Sequence, residues 1–183
     1  METFKKYLFD GWEIFKLNGK VAKKVAEDKN ALTYAILFFV LAGVASAIGQ
    51  RKFWGIFYAP IGVLIGTFIM FGIIHLLAKL FGGKASFPQF YRACGIGYIG
   101  MWISIIPFAG VVLGGIVMLW YLVVDVVILK HVHQLTTGKA VFVVLIPVII
   151  VIIVTVILAV VLAAAIVGFL AAAGIKGMNP IFA

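Results

Sequence analysis

The chain is dominated by apolar segments that are long enough to cross a lipid bilayer. A membrane-spanning helix needs about 20 consecutive apolar residues, and five segments fit that requirement. We predict these spans at about residues 31–49, 54–81, 87–106, 110–130 and 140–174. The composition agrees, because 65% of the residues are hydrophobic and 11% are charged, against about 45–50% and about 25% in globular proteins. We therefore predict an all-α integral membrane protein with five transmembrane helices.

Glycine, proline and capping residues mark where the predicted spans begin and end. Gly82 is typical of a helix C-terminus, and Ser86 with Gln89 forms the pattern of a capping box at the start of the third span. The last run, 140–174, is too long for one perpendicular crossing and too short for a helical hairpin. We predict one long helix there, tilted or protruding and kinked at Pro147.

Residues 1–29 differ from the rest of the chain because charged and bulky side chains alternate along them. Four apolar residues follow one helical stripe, namely Phe4, Leu8, Trp12 and Phe15. This pattern is typical of an amphipathic helix that lies in the membrane interface. We therefore divide the chain into a cytoplasmic interfacial region, 1–29, and a transmembrane domain, 30–183. The alternative is an N-terminal helix that is packed or loosely solvated.

The distribution of lysine and arginine predicts the orientation. Twelve of these residues lie on the side of the N-terminus, and three lie on the other side: Arg51, Lys52 and Lys176. Basic residues accumulate in cytoplasmic segments, so we predict a multi-pass protein of the cell membrane with a cytoplasmic N-terminus and an extracytoplasmic C-terminus. The net charge of +9 does not indicate nucleic-acid binding, because no basic face or motif assembles.

Three ionisable residues lie inside predicted spans: His75, Arg92 and Asp125. Each lies about five or six residues from the same cytoplasmic boundary, which corresponds to a depth of roughly 7–9 Å in a helix. An isolated charge at such a depth is costly, so we predict an intramembrane polar cluster in which Asp125 pairs with Arg92, His75 or both. The alternative is that each side chain reaches the headgroups separately.

The segment after the fourth span carries four basic or titratable residues, Lys130, His131, His133 and Lys139. We treat them as a candidate cytoplasmic loop site. A lone His-x-His pair lacks a third metal ligand, so no metal site is predicted. The sequence contains no nucleophile elbow, phosphate loop or His-Glu-x-x-His motif, and we predict neither an enzyme nor a cofactor.

Small residues four positions apart predict two faces for close helix packing. Gly62 and Gly66 lie in the second span, and Gly110 and Gly114 lie in the fourth. Such faces let helix backbones approach closely in a membrane. Besides membrane lipids, the expected partners are therefore other helices of the same chain or of a homo- or hetero-oligomer.

Three segments resemble the Yip1-domain family of membrane proteins. Residues 81–92, Phe-Gly-Gly-Lys-Ala-Ser-Phe-Pro-Gln-Phe-Tyr-Arg, are similar to its "G-G-x-x-S-F-x-Q-x-x-R" pattern at the start of the third span. The turn 105–110 also resembles the family, as does the segment 129–140, which is similar to "L-K-x-x-H-x-x-S-x-x-K-A". The likeness covers roughly residues 1–165. It implies a five-helix membrane domain with a cytoplasmic N-terminus.

The same resemblance bears on partners. Eukaryotic members of the family act in vesicle trafficking with Rab-type GTPases. This sequence lacks their Asp-Leu-Tyr-Gly-Pro-type motif and their long N-terminal region, so it looks more like the prokaryotic branch and a GTPase partner is in doubt.

Two functions fit these observations. The first is a non-catalytic membrane scaffold, membrane-shaping or trafficking-type adaptor that acts through glycine-lined helix faces and an N-terminal helix on the cytoplasmic leaflet. The second is a small transporter or channel that uses the cluster of His75, Arg92 and Asp125. A water-accessible cavity that reaches the cluster would favour transport, and a dry helix interface would favour the scaffold.

Overall fold

The structure, a computed structural model, describes residues 1–173. This part of the chain contains seven α-helices and one 3₁₀ helix. They are α1 (Glu2–Phe15), α2 (Gly19–Glu27), α3 (Ala31–Gly49), α4 (Gly55–Leu80), α5 (Phe87–Gly97), the 3₁₀ helix (Tyr98–Ile105), α6 (Ala109–Val132) and α7 (Thr137–Ala172). The chain forms two compact units, residues 1–145 and the residues from Ile146 onward, and α7 contributes to both.

Four of the described helices are long and apolar enough to cross a membrane, namely α3, α4, α6 and α7 as far as Leu170. The predicted third span is different, because it is divided between α5, with 11 residues, and the 3₁₀ helix, with 8 residues. Three glycines lie around the junction, at positions 95, 97 and 100. Glycine lowers helix stability by roughly 1 kcal/mol relative to alanine, which accounts for a change of helix type at this place.

The last predicted span forms one α-helix that continues through Pro147. The prediction of a single long helix is therefore confirmed for the described residues, whereas residue 174, Lys176 and the C-terminus lie outside them. In the second unit every residue from Ile149 to Phe169 is exposed. A segment that is apolar on all sides and unpacked is compatible with lipid around its whole circumference.

Helix α5 lies at the centre of the first unit. Its residues from Phe90 to Gly97 are all buried, and α1, α2, α3 and α6 surround it. Small residues allow this dense packing, since the backbone of Gly95 lies directly against Ala35 of α3. The helix that begins the predicted third span is therefore the core helix of the unit.

The N-terminal helices pack onto the same core. Helix α1 buries the stripe of Tyr7, Asp10, Gly11 and Ile14, and Gly11 lies against the carbonyl group of Ile96 in α5. Burial of an apolar face against protein produces the same helical periodicity as burial in lipid, so the sequence alone did not distinguish the two.

The predicted apolar stripe of α1 is shifted from the observed one. Phe4, Leu8 and Phe15 are partly buried against the core, while Trp12 is half-exposed. Residues 1–29 consequently belong to the same compact unit as α3 to α6.

The first unit has two ends. At one, which we call the α1/α2 end, α3 and α5 begin and α4 and α6 end, with α1 and α2 packed against them. At the opposite end the backbone of Gly49 lies against the carbonyl group of Ser104, and the guanidinium of Arg51 lies 4.5 Å from the centre of the Phe108 ring.

The two predicted glycine faces differ. Gly110 and Gly114 lie against Ser104 of the 3₁₀ helix, so this face packs within the chain. Gly62 and Gly66 have open space beside them, and the predicted close packing is not found there among the described residues. Helices α3 and α4 instead approach where Gly43 lies against Pro60.

Candidate functional site at the α1/α2 end

His133 connects the two loops of the α1/α2 end. It follows the last residue of α6, and its side chain is fully buried. Its Nε2 atom lies 3.3 Å from Nδ1 of His75 in α4. Its backbone carbonyl accepts a hydrogen bond of 3.0 Å from the amide of Lys84. The ring lies against the backbone of Gly83, where any side chain would collide with Nδ1 of the imidazole.

A lysine from α7 adds a second link. The ammonium group of Lys139 donates a hydrogen bond of 3.1 Å to the carbonyl of Phe81, the residue that follows α4. The α4–α5 loop and the α6–α7 loop therefore form one connected layer. Within this layer Ser86 and Gln89 make the predicted capping box, since the amide of Ser86 donates to Oε1 of Gln89 at 2.8 Å.

Arg92 lies on α5 and is directed towards α2. Its guanidinium is buried and donates a hydrogen bond of 2.7 Å from Nη1 to the carbonyl of Ala26, in the last turn of α2. A cation near a helix C-terminus is favourable because the helix dipole places negative charge there. Its Nε atom is buried without a hydrogen-bond partner among the described residues.

Asp125 is not paired with the other members of the predicted cluster. It is buried on α6, near Cys94, Tyr98 and Tyr121, and forms no side-chain hydrogen bond or ion pair with any residue in 1–173. Because His75 binds His133 and Arg92 binds Ala26, the predicted pairing is wrong. Equal depth in a membrane does not fix which face of a helix a side chain occupies.

Tyr121 is a polar residue whose function the sequence did not reveal. Its hydroxyl donates a hydrogen bond of 2.8 Å to the carbonyl of Gly97 and accepts one of 3.0 Å from the amide of Gly100. These two backbone groups lie where α5 changes into the 3₁₀ helix. The tyrosine therefore stabilises the junction from α6.

The four residues of the predicted loop site diverge. His131 lies over Gly19 of α2, with its Nδ1 atom 2.9 Å from the carbonyl of Val127. His133 instead faces α4, so the two imidazoles do not converge, and Lys130 is exposed. Residues 1–173 contain no group of three or more histidine, cysteine, aspartate or glutamate residues that could hold a metal ion.

Charged contacts also join α1 to the segment between α2 and α3. Asp28 accepts hydrogen bonds of 2.8 Å from both Lys6 and the hydroxyl of Tyr7. The bond from Lys6, followed by the bond from Tyr7, holds the pKa of the Asp28 carboxyl below its usual value. Burial and the adjacent carboxylate raise the pKa of Tyr7 well above its usual value.

Two cavities lie near these residues. An apolar groove of about 580 Å³ runs between α3, α4 and the start of α5, and a polar cavity of about 140 Å³ lies between α2 and the two loops. Neither is lined by His75, Arg92 or Asp125. The α1/α2 end is thus a packed layer of loops and helix ends, and hydrogen bonds between side chains and backbone carbonyl groups hold it together.

The loop residues of this layer lie in the segments 81–92 and 129–140, which resemble the Yip1-domain family in sequence. The family model of the Yip1 domain matches residues 12–159. The chain belongs to the Yip1-domain family. This family consists of membrane proteins that are not enzymes, and the Yip1 domain together with the apolar helices shows a multi-pass membrane protein in contact with lipid. The comparisons with curated proteins and with solved structures gave no match.

Proposed function

We propose that this Yip1-domain protein is a non-catalytic scaffold of the cell membrane, with α1 and α2 on the cytoplasmic side, which shapes the leaflet that contacts α1. The proposal includes no cofactor and, since the sequence looks more like the prokaryotic branch of the family, no GTPase partner. The open face at Gly62 and Gly66 supports association with a further helix in an oligomer.

The observation that carries this proposal is the outer face of α1. Phe9 and Trp12 are 65% and 50% exposed, although the opposite face of the same helix is packed on the core. Trp12 stacks on Phe15, whose carbonyl accepts a hydrogen bond of 2.9 Å from the indole of Trp120 in α6. Because Trp120 is the twelfth of the 24 residues of α6, this contact supports an α1 whose last turn enters the lipid-chain region of one leaflet. A rigidly held helix that inserts such residues enlarges one leaflet and favours curvature.

Reconstitution into liposomes tests the scaffold. We expect the wild-type protein to convert large vesicles into smaller or tubular ones, as seen by electron microscopy, and the double variant Phe9→Ala/Trp12→Ala to do so much less. The matched control is Phe53→Ala/Trp54→Ala, because these two residues are also highly exposed but lie at the opposite end. Equal curvature with both double variants would contradict the proposal.

We also propose that α5 and the 3₁₀ helix together make the third of five crossings. Eleven α-helical residues rise about 16 Å and eight 3₁₀ residues about 16 Å, and their sum matches the hydrocarbon thickness of about 30 Å. The contacts of Gly49 with Ser104 and of Arg51 with Phe108 support this topology, because they join the far ends of the first and third crossings.

Single-cysteine labelling tests the topology. In a Cys94→Ala background, an impermeant maleimide should reach Ser86→Cys and Pro107→Cys from opposite sides of the membrane. Ser86→Cys should be labelled from the cytoplasmic side. Labelling of both positions from one side would exclude a third crossing.

One observation favours transport as a second candidate. Asp125 is a buried acid without a polar partner among the described residues, and such residues are often functional in membrane proteins. Proteoliposomes should then show a proton or ion flux that Asp125→Asn abolishes. A flux that is absent from the wild-type protein, or that is unchanged in the variant, would exclude a role of Asp125 in transport.

A further inference from the structure

A small cavity at the α1/α2 end has no role in the packing described so far. Its volume is about 140 Å³, several times the roughly 30 Å³ that one water molecule occupies but below the range of about 300–1,000 Å³ that drug-sized ligands need. Its lining includes four polar or charged side chains, Lys23, Glu27, Lys84 and Gln89, together with Ala26 and Val132. The size and the polar side chains indicate a small charged group as the occupant.

The cavity lies at the height of the lipid headgroups. Val132 is the last residue of a membrane-spanning helix, and Lys84 follows the end of another, Leu80, by four residues. The headgroup layer adds roughly 5–8 Å to the hydrocarbon core on each side of a bilayer. A cavity between these span ends is therefore within reach of the polar part of a membrane lipid.

Two lysines line the cavity. Lys23 and Lys84 are exposed and form no ion pair with any residue in the described range. The buried guanidinium of Arg92 is bonded to the carbonyl of Ala26, a lining residue, but does not itself line the cavity. The Oε1 atom of Gln89 serves the capping box, which leaves its amide N–H groups for an acceptor. This set is suited to a phosphate oxygen.

Glu27 gives the cavity a negative group as well. It is exposed, stands one helical turn after Lys23 and is not paired with it or with any other residue that the structure describes. A carboxylate beside a phosphate site disfavours a ligand that carries negative charge alone. It favours a ligand that also carries a cation with N–H donors, because a charge-assisted hydrogen bond to a carboxylate requires such donors.

We propose that this cavity binds a phosphoethanolamine group, with the phosphate between Lys23 and Lys84 and the primary ammonium at Glu27. The quaternary ammonium of phosphocholine has no N–H donor for Glu27, and phosphoglycerol has no cation. The site therefore selects phosphoethanolamine by carrying both lysine ammonium groups and a carboxylate in one cavity, and it links the N-terminal helices to the loop layer through one ligand.

The test is a ligand titration of the full chain in a non-ionic detergent, followed by the thermal unfolding midpoint. The probes are the short-chain dihexanoyl lipids with ethanolamine, choline and glycerol headgroups, free phosphoethanolamine and inorganic phosphate. We expect saturable stabilisation by the ethanolamine lipid at concentrations about tenfold lower than for the other two lipids, since one charge-assisted hydrogen bond distinguishes them.

The variants separate the two halves of the site. Lys84→Gln should weaken binding of all three lipids by about tenfold or more, whereas Glu27→Gln should remove the preference for ethanolamine over glycerol. Lys130→Gln, an exposed lysine of the same end that does not line the cavity, should bind as the wild type does. Each variant should unfold at the wild-type temperature without ligand, because these three side chains are exposed and form no hydrogen bond or ion pair with any residue in 1–173.

Each result of the titration leads to a different conclusion. Free phosphoethanolamine that binds as tightly as the lipid would keep the site but assign it to a soluble ligand. Equal affinity for the ethanolamine and glycerol lipids would overturn the role of Glu27. No saturable stabilisation, or unchanged affinity in Lys84→Gln, would overturn the site while leaving the scaffold and its curvature test unaffected.

Discussion

Helix α5 and the outer part of α7, residues 149–169, show opposite relations between apolar character and packing. Helix α5 contains an arginine, a cysteine and two glycines, and it is buried from Phe90 to Gly97. The segment 149–169 is almost purely aliphatic, and all of it is exposed. Lipid solvates aliphatic side chains as well as protein does, so packing inside a membrane depends on small residues and polar contacts. Hydrophobicity therefore identifies the membrane-spanning segments but not the residues of the packed core.

The strongest test of this comparison is a matched pair of glycine substitutions. Gly95→Leu should destabilise the protein by more than about 3 kcal/mol, because a side chain there collides with Ala35. Gly168→Leu should have no destabilising effect, since nothing lies within 4 Å of that position. Chemical unfolding in detergent micelles measures both. Comparable losses in the two variants would break the comparison.

The next largest effect is a dependence on pH around α5. His133 lies outside the candidate spans, its ring is 5.2 Å from that of Phe90 in α5, and burial, followed by the nearby His75 and Lys79, lowers its pKa to about 4. Its pKa in the unfolded chain is about 6.5. Below pH 6.5 the unfolded chain binds a proton that the folded chain does not, so stability is complete above pH 6.5 and falls towards pH 4, by about 3 kcal/mol in total.

Unfolding free energies between pH 7.5 and pH 4 check this prediction. The variant His133→Gln should have a flatter profile than the wild type, while His131→Gln should retain the wild-type slope. A residual slope common to all three proteins is expected from Asp28, whose lowered pKa also makes stability fall as the pH drops. An unchanged slope in His133→Gln would rule out the buried imidazole as the cause.

Removal of the charge in α5 should have a somewhat smaller effect. Arg92→Met preserves much of the side-chain volume but leaves the carbonyl of Ala26 without its donor, and a hydrogen bond to a charged group contributes about 1.5–3 kcal/mol. We expect a loss in this range and faster proteolysis of residues 1–29. Lys52→Met, at an exposed position of the opposite end, is the control. Proteolysis at the wild-type rate would show that Arg92 does not hold α2.

The smallest effect concerns the end of α5. Tyr121→Phe removes the hydroxyl that bonds to Gly97 and Gly100, and an unsatisfied buried backbone group costs about 1–3 kcal/mol. We expect a loss near the lower limit, because the 3₁₀ helix can shift to recover part of it. The exposed Tyr58→Phe should be neutral. Hydrogen exchange should quicken at positions 97–100 in Tyr121→Phe alone.

Sequence patterns predicted the spans well where one physical rule dominates. The length of apolar runs predicted α3, α4 and α6 to within two residues at each end, and local hydrogen-bonding chemistry predicted the capping box of Ser86 and Gln89. Both rules act over a few neighbouring residues, so the tertiary structure does not alter them.

The predictions that failed concern the face of the helix on which a side chain lies. Depth along a helix follows from counting residues, but the faces of His75, Arg92 and Asp125 are set by neighbours that lie far away in the sequence. For the same reason the buried stripe of α1 was misplaced, since Tyr7 and Asp10 are polar residues whose partners are Asp28 and Lys24. The sequence nevertheless offered a clue to the partner of Arg92. Every helix C-terminus presents backbone carbonyl groups that can accept a hydrogen bond from a guanidinium.

The bond between Arg92 and Ala26 has a consequence for biosynthesis. Its two residues are 66 positions apart, and a ribosome adds about 5–20 residues per second. For roughly 3–13 seconds after Ala26 has been synthesised, its partner does not exist. During that interval α1 and α2 have no core to dock on, and their apolar faces are available to the membrane surface or to a chaperone. The N-terminal helices are therefore made first and docked late.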